Sequence, residues 1–227
     1  MTWAAGWPSM AKDPVEAWGR PNGGCAAFSW HGVIRMRCVT VVSALVALMQ
    51  VLAMAQAPEV PLFAFASPGA AAEWQAVNDG VMGGVSDGRF RMTDRQTLEF
   101  SGTLSLENNG GFASVRSRPR SLGLQTGDTL VARVRGDGRE YQFNLYGSGR
   151  SRAFSYRAPV QTRAGEWIEV AVPLDRFEAT SFGRVLRGAD PVDPRNVLSV
   201  GFLLAEKAPG PFVLEVAWIK VLRREGR

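Results

Sequence analysis

The sequence predicts an all-β domain built as a sandwich of two sheets. Three observations predict it. Apolar residues recur with period two along most of the chain beyond residue 58; these runs are short and separated by Gly, Pro and Asp; and hardly any apolar stripe repeats at helical spacing. The composition agrees. With 227 residues, 46% hydrophobic and 21% charged, the chain is globular in character and has room for one ordinary domain plus an additional segment.

The additional segment comes first. Residues 1–35 show no periodicity and read as an upstream extension or disordered segment, with Met36 as the expected start. From Val39 to Met54 runs VTVVSALVALMQVLAM, sixteen residues without a charge, preceded by Arg35 and Arg37 and followed by Ala55, Gln56 and Ala57. A basic flank, an apolar run and a small-x-small exit describe a signal peptide over residues 36–57, with the domain in 58–227. The alternative is an uncleaved N-terminal membrane anchor, against which stands a run shorter than the roughly 20 residues that span a bilayer. Either way the basic flank stays inside and the domain is expected in the periplasm or secreted.

Removing the first 57 of 227 residues leaves 170 and takes Cys25, Cys38 and His31 with it. Disulfides, thiol nucleophiles, His bases and His metal ligands therefore drop out of the domain together, and no Ser/His/Asp triad can form. No Walker A string and no strand-linked Gly-x-Gly-x-x-Gly string occurs, so no nucleotide and no cofactor is expected. The basic residues lose Lys12, Arg20, Arg35 and Arg37 and fall from 26 to 22; the acidic ones lose Asp13 and Glu16 and fall from 21 to 19. A net charge of +3 is small for nucleic-acid binding. The clusters Arg116, Arg118, Arg120 and Arg150, Arg152 also lack interleaved aromatics, so nucleic acid is not an expected partner.

Within the domain Gly69 to Trp74 is the one helix candidate of note. The expected strands are Gly88 to Met92, Leu98 to Ser101, Gly111 to Ser117, Leu130 to Arg135, Glu140 to Tyr146, Arg152 to Tyr156, Trp167 to Val172, Val197 to Ala205 and Phe212 to Leu222. Leu130–Arg135 and Glu140–Tyr146 flank Gly136, Asp137 and Gly138, a favoured tight-turn composition, and are expected to form a hairpin. The Arg-Gly-Asp string there is explained by the turn. Hairpin alternation then places Arg133 and Arg135 on one side with Gln142, Asn144 and Tyr146, opposite a core of Tyr141, Phe143 and Leu145. Planar Arg forks, paired amide donors and acceptors and a Tyr ring suit a binding groove for a sugar, a peptide or a partner segment. Trp74, Trp167 and Trp218 lie in or beside apolar runs and are assigned to the core.

Three stretches carry a family resemblance: Trp74 to Ser86 (WQAVNDGVMGGVS), Leu98 to Gly102 followed by Asn108 to Arg116 (NNGGFASVR), and Arg135 to Tyr141 followed by Trp167, Val172 to Leu174 and Phe177. Over roughly Leu62 to Val221 the chain resembles the complex I intermediate-associated protein family, whose mitochondrial members assist assembly of the respiratory NADH dehydrogenase. The resemblance implies a galactose-binding-like jelly roll, a fold shared with many carbohydrate-binding modules. It also implies a protein partner belonging to a membrane complex, although an exported chain differs from matrix-located members. The loops holding Asn78, Asp79, Asn108 and Asn109 carry the most family-specific residues and join the expected binding set.

Physically, the glycines around Asn78 to Gly88 point to a compact loop leading into a strand, and no Lys or helix start follows to make it a phosphate cradle. Asn78, Asp79 and Asp87 could offer oxygens to calcium, but Asx side chains that bond their own turn are commoner, so no metal is assigned. Carboxylates such as Glu99, Glu107, Glu166, Glu169 and Glu215 fit solvated strand faces better than a glycosidase pair. The expected function is non-catalytic: an extracytoplasmic binding or assembly module, with a carbohydrate-binding module, and hence a glycan ligand, as the alternative.

Overall fold

A computed structural model describes residues 59–147, 155–181 and 183–223. The expected signal peptide, the segment before it, and Arg150 and Arg152 lie outside these. Thirteen strands are named, and among the described residues every helical turn is of the short 3₁₀ type and no helix is long and apolar enough to cross a membrane.

One antiparallel sheet has the order β3 (Asp87–Met92), β4 (Leu98–Leu104), β13 (Gly210–Leu222), β6 (Thr129–Arg135), β9 (Trp167–Pro173), with β1 (Glu59–Ala64) also pairing β13. The other runs β11 (Arg184–Val185), β10 (Glu178–Ser181), β8 (Ser155–Gln161), β7 (Glu140–Gly147), β12 (Val197–Leu204), β5 (Ala113–Ser117), β2 (Trp74–Asn78). The two inner faces enclose one apolar core, as a two-sheet sandwich requires. Phe100, Phe143, Phe202, Tyr141, Leu130, Leu145, Leu214 and Ile219 are fully buried in it. Phe143 stacks on Phe202 with centroids 4.9 Å apart, and Phe100 lies 4.9 Å from Phe212.

The period-two pattern located most strands and both core-facing sets around residues 130 and 141. The helix candidate before Trp74 is a single 3₁₀ turn, Ala70–Glu73. The hairpin expectation is corrected. β6 pairs β13 and β9, whereas β7 pairs β12 and β8, so the Gly136–Gly138 turn carries the chain from one sheet to the other. The return crossing between β8 and β9 packs beside it. Thr162 Oγ1 donates to the Arg139 carbonyl at 2.7 Å and accepts from the Gly138 N–H at 3.1 Å, and Gly136 bridges to Ala164. Asp137 secures the crossing by accepting from the Tyr141 hydroxyl at 3.1 Å and from the Val213 N–H at 2.9 Å. Those partners account for the Asp in the Arg-Gly-Asp string, and burial together with the Asp137 charge pushes the Tyr141 phenol upward from its ordinary pKa. A favoured hairpin dipeptide thus serves a sheet crossing because its neighbours on both sides find longer-range partners.

Candidate functional site: two outer faces and the Asp79 loop

Asp79 lies in the 3₁₀ turn Asp79–Met82 at the end of β2 and is fully buried. Its carboxylate accepts four hydrogen bonds: from the Ser86 N–H (3.1 Å) and hydroxyl (2.7 Å), and from the N–H groups of Gly111 (2.6 Å) and Phe112 (3.2 Å). Burial pushes its pKa up, but these bonds outweigh burial and hold it below the ordinary 3.8. A Cβ on Gly84 would lie 2.3 Å from the Asp79 side chain, and one on Gly110 2.6 Å from it, so both positions need glycine for the loops to close on the carboxylate. Asp79 is the tie between the 78–86 and 107–112 loops. Asn78 acts alongside, its Nδ2 donating to the Gly88 carbonyl at 2.9 Å, while Asp87 pairs with Arg89. Asn108 is exposed and holds a left-handed φ of 56° at the loop tip, and Asn109 follows it in the same turn, which the Gly110 N–H closes on the Glu107 carbonyl at 2.8 Å.

Arg133 and Arg135 stand on the outer face of the six-stranded sheet, where, among the described residues, Arg89, Arg91, Arg95, Arg133, Arg135 and Lys220 each have an acidic partner. Register brings Arg91, Glu99, Glu215, Arg135 and Trp167 into one row across five strands. Glu215 is buried; it accepts from Thr97 Oγ1 at 2.6 Å, from Arg135 Nη2, and from Arg95 Nε at 3.4 Å. Burial raises its pKa, yet the Thr97 hydroxyl and the two guanidiniums keep it below the ordinary 4.5. Arg91 forms a two-point pair with Glu99, and Arg133 faces Glu169 at 3.7 Å. Trp167 and Trp218 are corrected from core to this outer face, where both are half-buried: Arg135 lies 5.0 Å from the Trp167 centroid and Lys220 4.1 Å from that of Trp218. The cause for Trp218 is a bulge between Val216 and Trp218, which reverses the alternation along β13. Trp74 does lie in the core, against Phe63 and Phe65.

Gln142, Asn144 and Tyr146 lie on the outer face of the other sheet. The five-residue face expected from a hairpin is therefore split between the two sides of the sandwich. The central row here is Gln75, Arg116, Gly201, Asn144, Arg157 and Glu178, from β2 to β10. Asn144 Nδ2 donates to the Tyr146 hydroxyl at 3.1 Å, and the Arg116 guanidinium lies 4.5 Å from the Tyr146 ring centroid. Arg157 donates from Nε to Ser155 Oγ at 3.4 Å, and partial burial lowers its pKa from the ordinary 12.5. The basic run Arg116, Arg118, Arg120 divides in the same way. Arg116 joins this row, whereas Arg118 donates to the Ala72 carbonyl and Arg120 to the Leu62 carbonyl.

Arg157 alternates with buried Tyr156, Ala158 and Val160 as the period-two argument requires, and falls outside the expected strand because β8 runs on past Tyr156 to Gln161. Glu215, expected on a solvated strand face, is instead buried, and the partners that hold it there are more than 75 residues away and leave no local signal.

The family model described as Complex I intermediate-associated protein 30 matches residues 63–216, from β1 to β13, and so takes in both sheets and the Asp79 loop. This chain belongs to that family. Among relatives, the mitochondrial complex I intermediate-associated protein 30 of Mus musculus is 32% identical over 172 residues, 66% of this chain and 52% of that protein. The probable complex I intermediate-associated protein 30 of Caenorhabditis elegans is 29% identical over 57% of this chain and 44% of its own length. The chain thus spans about half the length of these relatives. The family member's fold is that of a galactose-binding-like jelly roll. The family 11 carbohydrate-binding module of a cellulosomal cellulase of Clostridium thermocellum superposes with a TM-score of 0.55 over 76% of this chain and all of that one, at 15% identity. An agarase superposes at 0.53 over 75% of this chain and 25% of its own, at 11% identity.

Proposed function

We propose that this family member is a non-catalytic assembly module for a respiratory membrane complex of the NADH dehydrogenase type, working outside the cytoplasm once residues 36–57 are removed. Its partner docks on the outer face of the seven-stranded sheet. One observation carries the choice of face: among the described residues Arg116 and Arg157 there have no carboxylate within ion-pair distance, while Arg91, Arg95, Arg133, Arg135 and Lys220 of the opposite sheet are paired, so this face keeps charge available for a partner. Family membership supports the assembly role, and the basic flank with the apolar run after it supports the location.

The test is affinity capture of the tagged chain from its native envelope, with intact mass read on the bait. Expected are subunits of the NADH dehydrogenase, a bait beginning at Pro58, and loss of capture when Gln142 and Tyr146 are both replaced by Ala. Absence of those subunits from the wild-type capture overturns the assembly role, and an unprocessed cytoplasmic bait overturns the location. A carbohydrate-binding role is the second reading, favoured by the amide and guanidinium forks gathered around Tyr146; capture of envelope glycan in place of respiratory subunits would decide for it.

A further inference from the structure

The middle of the seven-stranded sheet's outer face has a feature that an ordinary solvated sheet lacks. Among the described residues four buried side-chain polar atoms have no hydrogen-bond partner, and two of them, Arg116 Nε and Asn144 Oδ1, flank the same position, Gly201. Asn144 is only 1% exposed, so its amide oxygen forgoes a bond that water would otherwise supply. Gly201 between them carries no side chain and can carry none, since a Cβ there would lie 2.3 Å from the Val115 carbonyl oxygen. Arg157 closes the row on the far side of Asn144. Among the described residues neither Arg116 nor Arg157 has a carboxylate within ion-pair distance; Glu178, opposite Arg157 in register, is not paired with it.

We infer that Arg116, Asn144 and Arg157 form a receptor for an acidic segment of a partner polypeptide, the two guanidiniums taking its carboxylates and the Asn144 oxygen taking a main-chain N–H. The inference rests on the docking face proposed above and names the chemistry that the face recognises. Guanidinium forks match carboxylates in two-point geometry. A peptide supplies in one segment both the acceptors that the arginines lack and the donor that Asn144 lacks. A saccharide fits less well, because one face of the Tyr146 ring is already taken by the Arg116 guanidinium.

The experiment titrates the full chain with an alternating Glu-Gly peptide and follows the arginine Nε–H resonances by NMR. The expected result is a saturable shift of the Arg116 and Arg157 signals that weakens with added salt, with no shift from the matching Gln-Gly peptide. Arg116→Gln and Arg157→Gln should each weaken binding about tenfold, and Arg116→Lys should fall between, keeping the charge but losing the fork. Retained thermal midpoints show that these variants fold. Equal response to the Gln-Gly peptide, or binding undiminished in the double Gln variant, overturns the proposal. So does a shift produced by polygalacturonate but not by the acidic peptide, which would assign the site to an acidic saccharide. The outcomes separate from those of the assembly role: respiratory subunits captured by the double Gln variant leave that role standing and remove this one.

Discussion

The two outer faces of the sandwich are made from the same residue types and treat charge in opposite ways. On the six-stranded sheet Arg91, Arg95, Arg133, Arg135 and Lys220 each have an acidic partner, and the buried Glu215 joins three elements of the chain through Thr97, Arg95 and Arg135. On the seven-stranded sheet Arg116 rests on a tyrosine ring and Arg157 on a serine hydroxyl. The first arrangement spends its electrostatics on holding its own strands in register. The second leaves them for another molecule. Similar arginines are therefore paired within the fold on one side and left for the proposed partner on the other, and their cross-strand neighbours make the difference.

Substitution can break this contrast at its strongest point. Glu215→Ala should cost about 3 to 5 kcal/mol in urea unfolding, because it strands Arg135 and removes the acceptor of a buried Thr97. A loss below about 1 kcal/mol would show the paired face to be no more committed to stability than an ordinary surface.

Acid sharpens the same comparison. Glu215 and Asp79 both ionise more readily in the fold than their ordinary values of 4.5 and 3.8, so their contribution is complete above those values and is lost as pH falls through the lower folded ones. Stability should drop across that acid range, and Glu215→Gln, though weaker at neutral pH, should show a shallower drop. An identical pH slope in the variant would remove Glu215 from the account.

The smallest effect belongs to the unpaired face. Arg116→Gln combined with Arg157→Gln should leave the unfolding free energy within about 0.5 kcal/mol of the parent, since no carboxylate is orphaned by the change. A loss of several kcal/mol would mean that these arginines hold the sheet together as those opposite do.

Local alternation was enough to read the strands and their buried sides, because side chains on a pleated strand must alternate whatever the partner strand is. Tyr141, Phe143 and Leu145 against Gln142, Asn144 and Tyr146 is the clearest instance. Pairing was not legible. Residues 136–138 have the composition of a hairpin, and what sends β7 to the other sheet is the set of distant contacts made by Asp137 and Thr162. That single crossing separated Arg133 and Arg135 from the other three residues expected beside them. The Asp79 loop was legible as a compact loop, and its glycines as sites of close approach. The object approached, a buried carboxylate fed by the 107–112 loop, follows only from the contact between the two.

The position of β13 has a consequence for how the chain is made. This last strand of the described chain is hydrogen-bonded to β4, β6 and β1, all synthesised long before it. Until residues 210–222 emerge, one sheet is missing its middle, and β4 and β6 present open edges that invite pairing with other chains. The six-stranded sheet therefore closes late in the order of synthesis of its strands, by pairings that are all long-range, and such pairings form slowly.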